Sequence, residues 1–116
     1  MKKRIKKNNL SRARDKRHQM LKSLANSLIF YEKIQTTPAK MRSLKVYLEK
    51  LITKAKNGSL HDRRLLIKDL GNEIAVKKMM DVYGPKYKER PGGYLRTTKT
   101  ANRHGDNAEQ VIIQFV

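Results

Sequence analysis

Twenty-eight lysines and arginines stand against ten aspartates and glutamates, leaving a formal net charge of +18 on 116 residues. Folding crowds those like charges together, and a chain tolerates such an imbalance most easily when a polyanion supplies the missing negative charge. The apolar supply set against this repulsion is small. Leu, Ile, Val and Phe make up about 23% of the residues, just above the ~20% below which highly charged chains tend to be disordered. The expectation is one thin core in a single domain of ordinary size. The lack of cysteine removes disulfide scaffolds, thiol nucleophiles and Cys-ligated zinc, and fits a reducing compartment. Apolar runs such as Leu28-Ile29-Phe30-Tyr31 are far shorter than the roughly 18 residues of a membrane span. Met1 leads straight into Lys and Arg with no apolar signal region, so neither a membrane span nor secretion by that route is expected.

The charge is unevenly placed. Residues 1 to 17 hold nine basic side chains against Asp15 alone, with only Ile5 and Leu10 as aliphatic partners. That segment buries too little apolar surface to offset its ordering entropy, so residues 1–14 are expected to form an extension, unstructured in water and ordered on a polyanion. The other reading is a solvated tail or targeting peptide, but the segment is Lys-heavy and Ser-poor, unlike a transit peptide.

From about Asp15 to Tyr31, Met20, Leu21, Leu24, Ala25 and Leu28 recur at helical spacing. The same stripe, extended toward the N-terminus, meets Arg14, Arg17 and His18. The helix should therefore project past the core at that end and lie on something anionic, unless the two arginines snorkel at the core edge. Lys33 to Thr37 has the alternation of a short strand, stopped by Pro38. Thr37-Pro38 then offers a hydroxyl at the N-cap and a proline at the first helical position. The helix that follows carries Met41, Leu44, Tyr47, Leu48, Leu51, Ile52 and Ala55 on one face and ends at Asn57-Gly58. Ser59-Leu60-His61-Asp62 resembles a capping box opening a short helix through Leu70, and Gly71-Asn72 closes it and caps the next. That last helix should stop abruptly at Gly84-Pro85. A basic loop through Arg90-Pro91-Gly92-Gly93 precedes a strand from Tyr94 to Thr100, and a second, apolar strand ends at Val116. The intervening loop, residues 101 to 108, is longer than a tight turn requires.

Catalytic chemistry finds little support. His104 and Asp106 are the one suggestive pair, but i and i+2 in a Gly-containing loop fix no useful geometry, and no motif places a nucleophile or third ligand. Gly105-Asp106-Asn107 fits better as a turn whose side chains bond their own backbone. No metal site or cofactor is expected. Nucleic acid is the polyanion that suits the pattern, since Lys and Arg neutralise phosphates and release counterions. Positive charge divided among a tail, a helix end and a hairpin loop suits a folded, irregular RNA better than a regular duplex. An architectural DNA-binding protein is the alternative. An anionic membrane surface would call for an aromatic or Leu-rich interfacial face that is missing here.

Several stretches, in order along nearly the whole chain, carry a more specific likeness. They are Leu10-Ser11-Arg12 running on to His18, Leu28 followed by Glu32-Lys33-Ile34-Gln35-Thr36-Thr37 with Lys40 and Arg42, Asn72-Glu73-Ile74, Gly84-Pro85, Arg90-Pro91-Gly92-Gly93-Tyr94-Leu95-Arg96, and Gly105-Asp106-Asn107-Ala108. With these the chain resembles bacterial large-subunit ribosomal proteins of family seventeen. Lys2-Lys3 stands where family members often have His-Arg, and Pro91 where they have Ala. The resemblance implies a structural role in the cytoplasmic ribosome, without catalysis or a small-molecule substrate. It also implies binding to large-subunit (23S-type) rRNA near the exit side of the peptide tunnel, beside neighbouring large-subunit proteins.

The fold expected is α+β: three or four helices on a small three-stranded mixed sheet built from residues 33–37, 94–100 and 110–116. Residues 15–116 form the domain, with the basic N-terminal extension and a long hairpin loop attached. The side chains expected to meet RNA are Lys2, Lys3, Arg4, Lys6, Lys7 and Asn8 in the extension, and Arg12, Arg14, Lys16, Arg17 and His18 around the first helix start. Lys40 and Arg42 at the second helix start, Arg90, then Arg96 and Lys99 on a strand and Arg103 in the hairpin loop complete the set.

Overall fold

The computed structural model describes Leu10 and residues 12–116. Helix α1 spans Arg14–Tyr31 and buries Ala25 and Leu28, the C-terminal end of the expected stripe, together with Ile29, which the stripe does not include. Glu32 ends it in a left-handed conformation (φ 67°), its N–H donating to Leu28 O at 2.8 Å. That turn feeds strand β1, Lys33–Thr36. Thr37 serves as N-cap to α2, Pro38–Asn57, with Pro38 in the first turn as expected. The hydroxyl bond foreseen at this cap is not made: the Thr37 side chain leaves the backbone N–H groups of the first turn alone. Helix α2 buries Leu44, Leu48, Leu51, Ile52 and Ala55, a face spaced at three and four residues as the sequence implies.

Helix α3, Leu60–Leu70, starts on Ser59, whose Oγ accepts from the Asp62 N–H at 3.1 Å. Helix α4, Glu73–Lys78, starts on Asn72, whose Oδ1 accepts from Ile74 and Ala75 N–H. The sequence puts a stop at Gly84-Pro85, and here the structure differs. After Lys78 the chain widens into a π-helical turn, Met79–Tyr83, and then makes one more α-helical turn, Gly84–Lys86. In the wide turn the Gly84 N–H reaches back to Met79 O. That shift in hydrogen-bond register admits Pro85, whose ring would clash with the carbonyl four residues back in a regular helix. Gly84 matters for a second reason. The α2 backbone passes so close that a Cβ here would come within 2.8 Å of Ala55 O.

Strands β2 (Leu95–Thr100) and β3 (Gln110–Phe115) complete a sheet of order β1-β3-β2. The sheet is antiparallel throughout, not mixed. A strand, a helical crossover and a strand suggest parallel neighbours, but β3 returns through a hairpin and inserts between β1 and β2. Each outer strand therefore meets an oppositely directed partner. The register sets the two faces. Thr36 lies opposite Val111 and Ile34 opposite Ile113, and on the other side Leu95 lies opposite Phe115. These residues face the helices, and Val111, Ile113 and Leu95 are buried there.

The core is small and leans on tyrosine. Tyr83 stacks on Phe115 with ring centroids 3.9 Å apart, and Tyr87 lies 5.3 Å from Tyr94. Each buried ring also ties its hydroxyl to a backbone carbonyl: Tyr83 to Ile29, Tyr87 to Val116, Tyr94 to Arg90. Tyr47, half-buried, does the same with Asp69 O at 2.7 Å. Burial, with the Asp69 charge adding to it, pushes the Tyr47 hydroxyl up to about 12, so it remains a donor across the physiological range.

Two substitutions test this packing by thermal denaturation. Ile113→Ala, at a fully buried site in the central strand, should cost about 2–5 kcal/mol. Gly84→Ala should cost roughly 1–3 kcal/mol through overpacking against α2. An unchanged melting temperature in either would contradict the assigned contact.

Candidate nucleic-acid interface

The helix starts fall into two kinds. Helices α3 and α4 begin with a side-chain cap and an acid in the first turn, Asp62 and Glu73 respectively. Helices α1 and α2 have neither full provision. Ala13 offers α1 no side-chain cap, and Arg14, Lys16 and Arg17 surround the single acid Asp15. The first turn of α2 has no acid, while Lys40 and Arg42 sit in its opening residues. The backbone N–H groups of a first turn have no intrahelical partner, and they form the positive end of the helix dipole. Adding cations there is unfavourable in water. The arrangement becomes favourable when a phosphate lies against it.

Around α1 the expected residues are close neighbours. Arg14, Lys16 and His18 are exposed and Arg17 is half-buried. The Arg12 Nη1 donates to Leu10 O at 2.9 Å, and the Arg17 Nη1 to Arg12 O at 3.4 Å, folding the chain onto the helix start. The structure adds two cations that the sequence does not single out. His18, Gln19, Lys22, Tyr47, Lys68 and Asp69 line one cleft, so Lys22 of α1 and Lys68 of α3 extend the basic surface. Asp69 contributes little negative charge to it, because Lys54 Nζ lies 3.1 Å from its carboxylate. Lys22 packs over Gly71 at the C-terminus of α3, where a cation is favourable to the helix dipole. Helical spacing within α1 could have flagged Lys22, but Lys68 joins only through tertiary packing.

Of the remaining expected residues, those described sit on other elements, in the loop before β2, on β2 and in the hairpin loop. Arg90 is exposed and its Nε folds back onto Gly92 O. Arg96 and Lys99 share β2 yet point to opposite faces, Arg96 opposite Gln114 and Lys99 opposite Val111. Arg103 is held by Asp106 through two hydrogen bonds, 3.0 and 2.6 Å long. Lys2, Lys3, Arg4, Lys6, Lys7 and Asn8 lie outside the described residues.

The long hairpin loop braces itself. Besides the Arg103–Asp106 pair, the Arg103 N–H donates to Ala108 O at 2.8 Å, Asn102 bonds Asn107, and Asp106 accepts from the Ala108 N–H. The expectation that its side chains bond their own backbone is met at Asp106. The same bonds order the loop from within. Asp106 is no partner for His104 here, being already taken by Arg103. Among the described residues no group of three or more His, Cys, Asp or Glu side chains comes together to hold a metal, and no helix is long and apolar enough to cross a membrane.

The chain is similar to known ribosomal proteins. Residues 20–116 match the family model for ribosomal protein L17. The large ribosomal subunit protein bL17 of Neorickettsia sennetsu is 46% identical over 117 residues, spanning all of both chains. The bL17 protein of Mesorhizobium japonicum is 47% identical over 100 residues, covering 86% of this chain and 70% of its own. That of Hydrogenobaculum is 41% identical and covers 100% of this chain.

The loop brace carries a pH signature. The hydrogen bond from Arg103, then that from Ala108, holds the Asp106 carboxyl down at about 2 against the usual 3.8. The brace is therefore fully present above about 3.8 and is lost as pH falls through about 2. The Ala108 amide shift, followed by NMR, should titrate with a midpoint near 2. A midpoint near 4 would show that the pair does not persist in solution.

Proposed function

This chain belongs to the ribosomal protein L17 family, and from that premise we propose that its basic surface binds and stabilises folded 23S-type rRNA by neutralising phosphates. Family membership makes the protein a structural constituent of the large ribosomal subunit, working in translation in the bacterial cytoplasm, and not an enzyme. A location near the exit side of the peptide tunnel, beside other large-subunit proteins, is what the family resemblance implies.

One observation carries the RNA reading: two helices start capped and acidic, while α1 and α2 start without side-chain caps and in basic company. Within one short chain, ordinary capping is used where the helix start meets solvent. It is withheld at α1, which opens on Arg14, Lys16 and Arg17, and at α2, whose first turn has Lys40 and no acid. An RNA phosphate at such an end accepts from backbone N–H groups and pairs with Arg14, Lys16 or Arg42 at the same time. Contacts of this kind position an RNA without reading its sequence. Their value lies in letting RNA segments that repel one another approach the same small protein. The proposed set also includes Arg12, Arg17, His18, Lys40, Arg90, Arg96, Lys99 and Arg103, together with Lys2, Lys3, Arg4, Lys6, Lys7 and Asn8.

The double variant Arg14→Ala/Lys16→Ala removes two exposed cations and should leave the fold unchanged by circular dichroism. Its affinity for a 23S rRNA transcript should fall, and the slope of log affinity against log salt should flatten by about 0.7–0.9 per lost contact. Duplex DNA at matched salt should bind more weakly than the transcript. Equal affinity and slope for variant and wild type would remove α1 from the interface.

A further inference from the structure

The sheet has a second face, and its chemistry differs from that of the helix starts. Pairing places Lys33, Gln114 and Arg96 in one row across the three strands. Gln35, Ile112 and Thr98 form the next row, and Gln110 pairs with Thr100 beyond it. All eight side chains alternate with the residues that face the helices, and each is exposed or half-buried. No carboxylate lies among them. Gln35 Nε2 donates to Thr100 Oγ1 at 3.1 Å, which stiffens the polar surface from one edge strand to the other.

At the edge of this face stands Tyr31, 74% exposed and the most exposed large hydrophobic side chain among the described residues. It closes α1, immediately before the left-handed Glu32, and lines a shallow cleft with Glu32, Lys33, Gln114 and Phe115. The other tyrosines bury their rings at least partly and tie their hydroxyls to backbone carbonyls. The single acid in the cleft is already engaged, since Lys78 Nζ lies 3.6 Å from Glu32 Oε1.

We propose that this open sheet face binds an unpaired stretch of ribosomal RNA, with a base stacked on Tyr31 and backbone phosphates held by Lys33 and Arg96. The inference rests on the RNA-binding reading and adds a surface to it. Base–aromatic stacking accepts any base, but only one whose face is free, and a duplex hides its bases from a flat surface. Lys33 and Arg96 lie two strand spacings apart, roughly 10 Å, so they reach different phosphates. Gln35, Gln114 and the threonines supply donors and acceptors suited to sugars and base edges between them. A protein neighbour would need a broader apolar surface than Ile112 and one tyrosine ring provide.

The probe is an unstructured ten-nucleotide RNA of mixed sequence, titrated with the full chain. Tyr31→Ala should weaken binding about 5- to 100-fold, the worth of one stacked base, without changing the salt slope. Circular dichroism should show the fold intact, because the ring is exposed. Tyr31→Trp should keep the affinity. It also introduces the only tryptophan of the chain, and stacking should quench its emission. Arg96→Ala should flatten the salt slope by about 0.7. Unchanged affinity in Tyr31→Ala, or unquenched Trp emission on binding, would overturn the proposal and leave Tyr31 to a protein neighbour. If the 23S transcript still binds with the salt dependence expected of Arg14 and Lys16 in that case, the general RNA reading stands. If the wild-type chain fails to bind the transcript at all, that reading falls as well.

Discussion

Uncompensated positive charge sets the terms for this fold. Eighteen excess charges on 116 residues repel one another whenever they come within a Debye length of about 8–10 Å. The ion pairs found among the described residues, Lys54–Asp69, Lys78–Glu32 and Arg103–Asp106, are all solvent-accessible. Pairs of this kind contribute little to stability. The protein must therefore hold together with little help from ion pairs and with an apolar supply close to the lower limit.

Tyrosine is how it does so. An aromatic ring buries a large area per residue, and its hydroxyl can bond a distant carbonyl where an aliphatic side chain could not. Tyr83 joins the π-helical segment to α1, Tyr87 ties the same helical end to the C-terminus, and Tyr94 joins the start of the sheet to the 90–93 loop. Lys56 adds to that last junction, donating to Tyr94 Oη at 2.8 Å. With the interior held in this way, the charged exterior is free to be shaped for RNA. Capped helix starts face water, basic ones gather on α1 and α2, and a polar sheet face stays uncovered among the described residues.

Much of this architecture is legible in the sequence because local patterns decide it. Apolar spacing in α2, the Ser59 and Asn72 caps, the alternation of β2 and the apolar run of β3 each act within a few residues. Three features escape because they depend on distant partners. The antiparallel sheet follows from β3 inserting between β1 and β2, which no local alternation records. The helix continues past Gly84-Pro85 because a π turn opens the hydrogen-bond register and α2 requires a glycine at the contact. Tyr87 looks like part of a basic loop, yet it is buried among Tyr83, Tyr94 and Phe115. The interface divides in the same way. Charge density marks Arg14 to His18 directly and helical spacing extends to Lys22, whereas Lys68 and Lys33 join only through packing or strand register. Arg103 stands out in sequence as the loop's cation, but its nearest partner turns out to be Asp106.

The central claim is that RNA supplies what the starts of α1 and α2 lack. Amide hydrogen exchange on the full chain, free and bound to a 23S rRNA transcript, tests it most directly. The account predicts that the first-turn amides, Arg14 to Lys16 in α1 and Ala39 and Lys40 in α2, gain protection on binding. The capped first turns of α3 and α4 should exchange as they do in the free protein. Protection gained equally at all four helix starts, or at none, would contradict it.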